Sequence, residues 1–368
     1  MALPNLVETL DLKTPQTLIT MTDRVRPAAT FLFDRYFYTN ANTDIYDTED
    51  ILVERKDKYG RVVAPLVKKG WKNSTRRTFS TTVLRAGRIA PRRILTIADM
   101  MQRGYGEQLI NSDRSPSDRA VAITMEDLTD MRNSIKRRME VMAADLLVNN
   151  KYTLTYEKSD ANGADEDVEP QEVSFIDSTE GNPTAYAPAT MWNKGGDVYA
   201  DLRAMCRQLD ENGGRAVDLV LGANAAAALL ANEKIAKMLD NRRMEYGQLA
   251  PQIYAQGAVL HGMLNVDGRL LNIIEYREQY HNASGNLVPY FPADNALLIS
   301  EKCCRALYAA VIQMEQLDMQ FHTYYKPVVP KYMGDAEKDE LDIRMTSRPL
   351  LVPELIGGWI SAKVTGTV

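Results

Sequence analysis

The feature that most limits the possible folds is an uninterrupted helical pattern from Ser115 to Asn150. Ser115, Pro116 and Asp118 form a typical helix start, with a hydroxyl cap, a proline at the first helical position and an early acid. No glycine or proline interrupts the pattern before Asn149 and Asn150. At the rise of an α-helix such a segment is about 50 Å long, which exceeds most globular helices. That length is typical of a coiled-coil strand, or of a spine that crosses a sheet in a flat subunit.

Apolar residues recur within this segment at steps of three and four. They are Val121, Met125, Leu128, Met131, Ile135, Met139, Met142 and Leu146. This spacing places them on one narrow face, and most charged residues, including Lys136 and Glu140, fall off it. We therefore predict an amphipathic helix that covers a core.

Composition and charge limit the class of protein. The 368 residues are 45% hydrophobic and 25% charged, which is typical of a globular chain of about two or three domains. The formal net charge of −5 argues against a protein dedicated to coating DNA. The sequence has no apolar run of about 18 residues and no recognisable signal peptide, so no membrane span is expected. Three cysteines indicate a reducing compartment, and we expect cytosolic synthesis.

The N-terminal residues look like an arm. Thr17–Arg24 is predicted as a short helix, and an aromatic cluster follows it. The cluster consists of Phe31, Phe33, Tyr36, Phe37 and Tyr38. Because aromatic side chains in a thin segment need a groove to fill, we expect them to pack on the body of their own chain, with a neighbouring subunit as the alternative.

Residues 55–93 form the most basic part of the chain. They hold thirteen Lys and Arg against the single acid Asp57, a local net charge of +12. Ile51–Arg55 and Arg61–Val67, on either side of a turn at 57–60, are predicted to pair as a hairpin. The candidate contact residues in this segment are Arg55, Lys68, Lys69, Trp71, Lys72, Arg76, Arg77, Arg85 and Arg88.

Two functions of this basic segment remain open. Trp71 and Phe79, interleaved with the cations, are compatible with binding of single-stranded nucleic acid. The same charge also fits an extended loop that lies on the acidic surface of another subunit. A loop that is merely solvated is the least favoured, because its unbalanced charges would repel each other.

An acidic segment follows the predicted helix. Glu157–Glu180 carries nine acids against Lys158, a local net charge of −8. Its candidate contact residues are Asp165, Glu166, Asp167 and Glu169. The spacing does not fit a calcium-binding EF-hand loop, so we interpret it as a solvated turn or as the counterpart of the basic segment. Residues 183–194, rich in Pro, Thr and Ala, are predicted to form a hinge.

The second half of the chain indicates a separate α/β unit and a return. A helix is predicted at Asp197–Glu211, another at Asn224–Leu239, and a hairpin turns at Asp267–Gly268. After residue 310 the chain becomes strand-like, with an acidic loop at Asp335–Asp342. The last strand, Trp359–Val364, is expected to pair with the sheet that the long helix covers.

No group of residues predicts catalysis. His261, His281 and His322 lie far apart in sequence, without a carboxylate or cysteine at ligand spacing. Cys303 and Cys304 are adjacent in an apolar run, which is typical of buried, unreactive thiols. We therefore expect no catalytic residue, no cofactor, no metal site and no enzyme activity.

The order of these features resembles the major capsid proteins of tailed phages, and in particular the family of phage lambda capsid protein E. Similar local sequence occurs at Tyr152–Thr155 after the predicted helix, at Tyr290–Leu298 after a hairpin, and at Met345–Leu351 near the end. The resemblance implies an α+β fold, the tailed-phage major capsid protein fold. It implies an N-terminal arm (1–47), an extended loop (48–93), a peripheral domain with its spine helix (94–194, spine 116–149), an axial domain (195–310) and a return to the peripheral domain (311–368).

The resemblance also implies a function. Proteins of this kind self-assemble as hexamers and pentamers into an icosahedral shell around double-stranded DNA, which they enclose without specific binding. The expected partners are further copies, scaffold and portal proteins and a decoration protein, with synthesis in the host bacterial cytoplasm and residence in the virion. An encapsulin-type cargo shell and a nucleic-acid-binding protein that uses residues 55–93 remain alternatives.

Overall fold

The structure is a computed structural model that describes residues 28, 30–40, 43–56, 79–101, 116–156, 170–176, 181–239, 247–253, 257–282, 284–316, 318–355 and 357–366. The described helices are α1 (Phe31–Tyr36), α2 (Ile97–Met101), α3 (Pro116–Asn149), α4 (Val198–Glu211), α5 (Ala223–Ala231) and α6 (Glu233–Leu239), with a 3-10 turn at Trp192–Lys194. The described strands are β1 (Phe37–Tyr38), β2 (Ile45–Tyr46), β3 (Asp50–Lys56), β4 (Phe79–Arg85), β5 (Arg92–Thr96), β6 (Lys151–Leu154), β7 (Gln171–Ser174), β8 (Ala185–Tyr186), β9 (Asp218–Leu221), β10 (Gly247–Ile253), β11 (Ala258–Val266), β12 (Arg269–Tyr276), β13 (Gln279–His281), β14 (Leu287–Pro289), β15 (Asn295–Ile299), β16 (Cys304–Ala309), β17 (Val311–Met314), β18 (Phe321–Tyr324), β19 (Val329–Asp335), β20 (Glu340–Thr346), β21 (Pro349–Pro353) and β22 (Trp359–Lys363).

A seven-stranded mixed sheet separates two apolar cores. Its strand order is β10-β11-β12-β9-β15-β22-β8. Val220, Leu297 and Trp359 lie in the core shared with α3, whereas Leu221 and Leu298 lie in the core shared with α4 and α5. Because successive side chains of a strand point to opposite faces, buried runs such as β9 serve both cores.

The hairpin of β11 and β12 forms where the sequence predicts it. The two strands pair across Asp267 and Gly268, with φ of 50° and 81° at these residues. Positive φ at both central positions is the geometry that an Asp-Gly pair favours in a two-residue hairpin turn. Helix α4 also matches its prediction, and Asp197 caps it by accepting a hydrogen bond from the backbone N–H of Ala200 at 3.3 Å.

The predicted long helix is α3, which has 34 residues. Six members of the predicted stripe are buried: Leu128, Met131, Ile135, Met139, Met142 and Leu146. Ala143, Ala144 and Leu147 are buried as well, so the contact face widens toward the C-terminal end. The helix ends at Asn149, and the φ of 54° at Asn150 is the left-handed conformation that asparagine tolerates just after a helix. Among the described helices, none has the length and apolar content to cross a membrane.

Smaller sheets surround this centre. Strand β16 pairs with β1, β2 and β21, and β20 lies between β19 and β5. Strands β3 and β4 form a separate two-stranded antiparallel ribbon, as do β6 and β7, β13 and β14, and β17 and β18. Helix α3 contacts β5, β20 and β21 on one side and β15 and β22 on the other, so it joins the small sheets to the large one.

The structure differs from the sequence-based prediction at the basic hairpin. Strand β3 pairs with Phe79–Arg85, from Asp50 opposite Arg85 to Lys56 opposite Phe79. The predicted partner, Arg61–Val67, was wrong for this pairing, because the local turn rule favoured a shorter connection than the one observed. Residues 57–78 lie outside the described part of the chain, as does the predicted helix at Thr17–Arg24.

The last strand, β22, pairs with β15 and β8 in the seven-stranded sheet, one face of which packs against α3, so it joins a sheet that the long helix covers, as expected. Two other predictions need correction. Residues 183–194 are not simply a hinge: β8 pairs in parallel with β22 at the edge of the large sheet, and Trp192 is buried in the core beside α4. The helix predicted at Asn224–Leu239 is two helices, because Asn232 interrupts it and caps α6 through its side-chain oxygen.

Candidate assembly surfaces

The described residues between 30 and 46 form what we call the N-terminal strap, a segment made of α1, β1 and β2 that packs on the body. Strands β1 and β2 both pair in parallel with β16. Phe31, Tyr36 and Phe37 are buried, so these members of the predicted aromatic cluster pack on their own chain, as expected. Three buried carboxylates, described next, hold the strap in place.

Asp218, at the start of β9, binds the strap to the large sheet. Arg35 donates hydrogen bonds to it through Nε at 2.5 Å and Nη2 at 3.0 Å, and the Tyr36 hydroxyl donates at 3.0 Å. Nδ2 of Asn272 donates a fourth at 2.7 Å. Burial and the adjacent carboxylate raise the pKa of Tyr36, so its hydroxyl remains a donor.

Glu140, on α3, joins the strap to the spine. Its Oε1 accepts the N–H of Leu32 at 2.8 Å and the Tyr276 hydroxyl at 2.7 Å, and its Oε2 accepts the N–H of Phe33 at 2.8 Å. Burial raises the pKa of Glu140 to about 7, although the three donors act to lower it. The sequence placed Glu140 on the polar side of the helix. The strap covers that side, so this carboxylate is buried.

The third carboxylate is Asp44, within the strap itself. Its side chain accepts hydrogen bonds from the N–H of Asn40 at 2.7 Å and from the Thr43 hydroxyl at 2.9 Å. Arg305 on β16 donates to the same carboxylate, and its guanidinium lies 5.8 Å from the ring centroid of Tyr38. Asp44 is fully buried, which makes this ion pair part of the packed body.

Strands β3 and β4 together form what we call the basic ribbon, whose first strand follows the strap in the chain. Its base is fixed at Glu49, which accepts a hydrogen bond from Arg85 at 3.1 Å and another from Arg348. These two arginines lower the pKa of Glu49. The N–H of Ala86 also donates to the carbonyl of Glu49 at 3.0 Å, closing the two strands at their base.

The two faces of the basic ribbon differ in burial. Ile51 is fully buried, and Leu84, opposite it in the register, packs against the core. Leu52 and Val83 are likewise opposite each other, but they are 52% and 60% exposed. Because paired residues of an antiparallel ladder point to the same side, the outward face presents an apolar pair to solvent.

A second exposed apolar surface lies on β17 and β18. Ile312, Met314 and Phe321 are exposed there, and Met319 in the connecting turn is 69% exposed. This surface was not predicted from the sequence. In β17 the polar residue Gln313 is buried while its apolar neighbours Ile312 and Met314 are exposed, which is the reverse of what their polarity predicts.

A family comparison explains why one chain carries such surfaces. The model of the family described as phage major capsid protein E matches residues 14–364. The chain belongs to this family. It is therefore a capsid shell protein of a phage or prophage, and its place is in the virion. Among curated protein sequences, none is similar to this capsid protein.

Two solved phage-related structures show the same fold, and a third structure is compared with them. A protein assigned as a prophage capsid protein of Escherichia coli CFT073 has a TM-score of 0.61 and 16% identity, over 96% of this chain and 99% of that one. A phage-related protein from Bordetella bronchiseptica RB50 has a TM-score of 0.50 and 9% identity, over 95% and 96%. An encapsulin from Synechococcus elongatus has a TM-score of 0.42 at 10% identity, over 100% and 95%. Since the family model is that of phage capsids, the cargo-shell alternative is the weaker one.

The predicted contact residues of this capsid protein fall into two groups. Arg85 lies at the base of the basic ribbon beside Glu49, and Arg88 is exposed just after it. The others lie outside the described side chains: Arg55, Lys68, Lys69, Trp71, Lys72, Arg76, Arg77, Asp165, Glu166, Asp167 and Glu169. The contact between the basic and acidic segments therefore stays a prediction.

Two further cations of the basic segment form ion pairs within the chain. Arg92 pairs with Asp342 at 3.0 Å, and Arg93 pairs with Asp127 on α3 at 2.5 Å. These partners are distant in sequence, which is why charge counting alone could not assign them. They secure β5 to the body, so they are not part of a free basic surface.

Two of the histidines contact carboxylates, and the three cysteines are buried. Nε2 of His261 lies 2.7 Å from Oε2 of Glu275, and Nε2 of His322 lies 2.6 Å from Oδ2 of Asp318. Burial raises the pKa of the Cys304 thiol and that of Cys206, to about 11 in the latter. No cluster of three or more potential metal ligands occurs within the described ranges.

Proposed function

We propose that this capsid protein self-assembles as hexamers and pentamers into the icosahedral head shell of a tailed double-stranded DNA phage or prophage, and that the basic ribbon lies on a neighbouring copy. The observation that supports this most directly is the ribbon itself. It is locked at its base by Glu49 and presents the exposed pair Leu52 and Val83. Within the described part of the chain, this apolar pair has no surface that covers it.

Charge supports the same proposal. The segment 55–93 carries a net +12, and 157–180 carries a net −8. Copies of one chain can therefore attract each other where a basic segment meets an acidic one. Each exposed pair contributes about 0–1 kcal/mol, but many pairs at every interface add up. The net charge of −5 suits a shell that holds DNA without binding it tightly.

The finer organisation is part of the proposal. We divide the subunit into an arm (1–47), an extended loop (48–93), a peripheral domain (94–194 and 311–368) and an axial domain (195–310), with β8 and β22 completing the axial sheet. Scaffold, portal and decoration proteins are the proposed partners. We propose synthesis in the host bacterial cytoplasm and no enzyme activity.

The test is reversal of charge at two neighbouring arginines of the basic segment 55–93. Arg76→Glu with Arg77→Glu should leave the subunit folded and lower the yield of shells at least tenfold, measured by sedimentation and negative-stain microscopy with the scaffold protein present. Lys194→Glu with Arg215→Glu, at two exposed sites outside the basic and acidic segments, makes the same change in net charge and should still form shells.

The outcomes separate the two functions of the basic segment. Partial rescue of the arginine double variant by Asp165→Lys with Glu166→Lys would show that the two segments meet between copies. Normal shells from Arg76→Glu with Arg77→Glu would contradict the proposal. Normal shells that have lost bound nucleic acid would instead favour nucleic-acid contact, with binding that weakens as salt rises.

A further inference from the structure

The hairpin of β17 and β18 carries an unusual concentration of exposed apolar side chains. Ile312 is 58% exposed, Phe321 is 71% exposed, and Met314 and Met319 are exposed as well. Isolated exposed apolar residues are common on protein surfaces, but a contiguous patch indicates a contact site. The chemistry of the patch and its neighbours indicates which surface covers it in the assembled protein.

The strand register places these residues on one face. Met314 lies opposite Phe321, and Ile312 lies opposite Thr323. Val311 and Gln313, the alternate residues of β17, are buried on the other face. We call the outward set Ile312, Met314, Phe321 and Thr323 the apolar strip. None of these four residues carries a charge.

The strip is held in a fixed position by two glutamines. Nε2 of Gln313 donates to the carbonyl of Pro330 at 3.3 Å. Gln316 pairs with the backbone of Gly334, donating through Nε2 at 2.6 Å and accepting the glycine N–H at 2.7 Å. Side-chain amides thus replace a ladder of backbone hydrogen bonds between the hairpin and β19. The strip is a preformed surface, which lowers the ordering cost of binding.

The absence of charge indicates the kind of partner. Around a rotation axis each residue near the axis meets its own copy, so a charged residue there would face a like charge. An uncharged apolar strip is compatible with its own copy, whereas the basic segment at 55–93 is not. The family forms shells from copies of one chain, which supplies the identical surfaces.

We propose that the apolar strip packs against the same strip of neighbouring copies around a symmetry axis of the shell. The inference rests on the proposed shell assembly, and it assigns to one hairpin a contact that is separate from the basic ribbon. The ribbon would then make a contact between unlike surfaces, and the strip a contact between like surfaces.

The test uses single cysteines in assembled particles of the full chain. Phe321→Cys should form disulfide-linked dimers on mild oxidation of intact shells, because identical positions approach each other. The native cysteines Cys206, Cys303 and Cys304 are buried, so their background is low. His322→Cys, on the opposite face of the same strand, should remain uncrosslinked.

Thr323→Cys, a small change on the same face, serves if Phe321→Cys does not assemble. Intact shells in which neither strip cysteine crosslinks would overturn the inference. So would crosslinking of Phe321→Cys only when Leu52→Cys is present, because the strip would then meet the ribbon, or crosslinking that is equal at His322→Cys. Failure of the wild-type chain to form any shell would instead refute the proposed function.

Discussion

The N-terminal strap and the basic ribbon both precede the spine helix in the chain, but they differ in how the rest of the subunit holds them. In the strap, Arg35 and the backbone of Leu32 and Phe33 bind fully buried carboxylates of the body. In the basic ribbon, the described ion pairs lie at the base, around Glu49, and Leu52 and Val83 face outward. The strap therefore belongs to the fold of one subunit, whereas the ribbon presents exposed apolar residues, which fits the interface proposed for it.

This difference shows how the strap and the ribbon, although neighbours in one chain, can have separate roles. A buried carboxylate is tolerated only when donors surround it, so each of Asp218, Glu140 and Asp44 fixes the strap in one position. An exposed ion pair contributes little to the stability of the subunit, so the ribbon is free to be stabilised by a neighbour.

The largest expected effect is at Asp218. Asp218→Ala removes the buried carboxylate that accepts from Arg35, the Tyr36 hydroxyl and Asn272, and should lower the free energy of unfolding by about 3–5 kcal/mol. Chemical denaturation of the unassembled protein measures it. The matched control is Asp50→Ala at the ribbon, where Asp50 is exposed and lies 3.9 Å from Arg85. This control should change stability by no more than about 0.5 kcal/mol. Equal losses would remove the distinction between strap and ribbon.

The second prediction concerns pH and Glu140. Its pKa is raised from 4.5 to about 7 in the folded chain, so the folded state binds the proton more tightly than the unfolded state. That contribution is present below about pH 4.5 and is lost as the pH rises to 7, a change of about 3 kcal/mol at most.

Glu140→Gln should remove this dependence. The amide can still accept from Leu32 and Tyr276, but it cannot accept from Phe33, so the variant should be less stable than wild type at low pH and close to it near pH 8. Denaturation curves between pH 4.5 and 8 measure the difference. If the stabilities of the two proteins fall in parallel with pH, Glu140 is not the group that titrates.

The smallest effect on folding is expected at the outward face of the ribbon. Leu52→Ala with Val83→Ala should change the free energy of unfolding by no more than about 0.5 kcal/mol, because both side chains are exposed. The same variant should assemble only at a higher protein concentration. Ile51→Ala, next to Leu52 but buried, should cost about 2–4 kcal/mol. A Leu52 and Val83 variant that loses stability but assembles normally would reverse the assignment of the two faces.

The sequence predicted the elements whose cause is local. The apolar stripe of α3, the helix α4 and the Asp-Gly turn between β11 and β12 depend on neighbours within a few residues. The strap contacts could not be predicted, because Arg35 and Asp218 are 183 positions apart. Strand β4 was missed for a related reason: a plausible turn at 57–60 offered a nearer partner for β3. The apolar strip was not predicted, because the alternation of side chains along β17 does not show which face of the strand is buried. In this strand the buried face carries the polar residue Gln313, and the outward face carries Ile312 and Met314.

The most direct test of the proposed role of the ribbon is a cryo-electron microscopy map of assembled particles that resolves side chains. We expect residues 50–85 to cross onto a neighbouring copy, with Leu52 and Val83 covered by protein and the basic residues near Glu157–Glu180 or Asp335–Asp342 of that copy. A ribbon that folds back over its own subunit, or that contacts the packaged DNA instead of a neighbour, would contradict the proposed assembly contact.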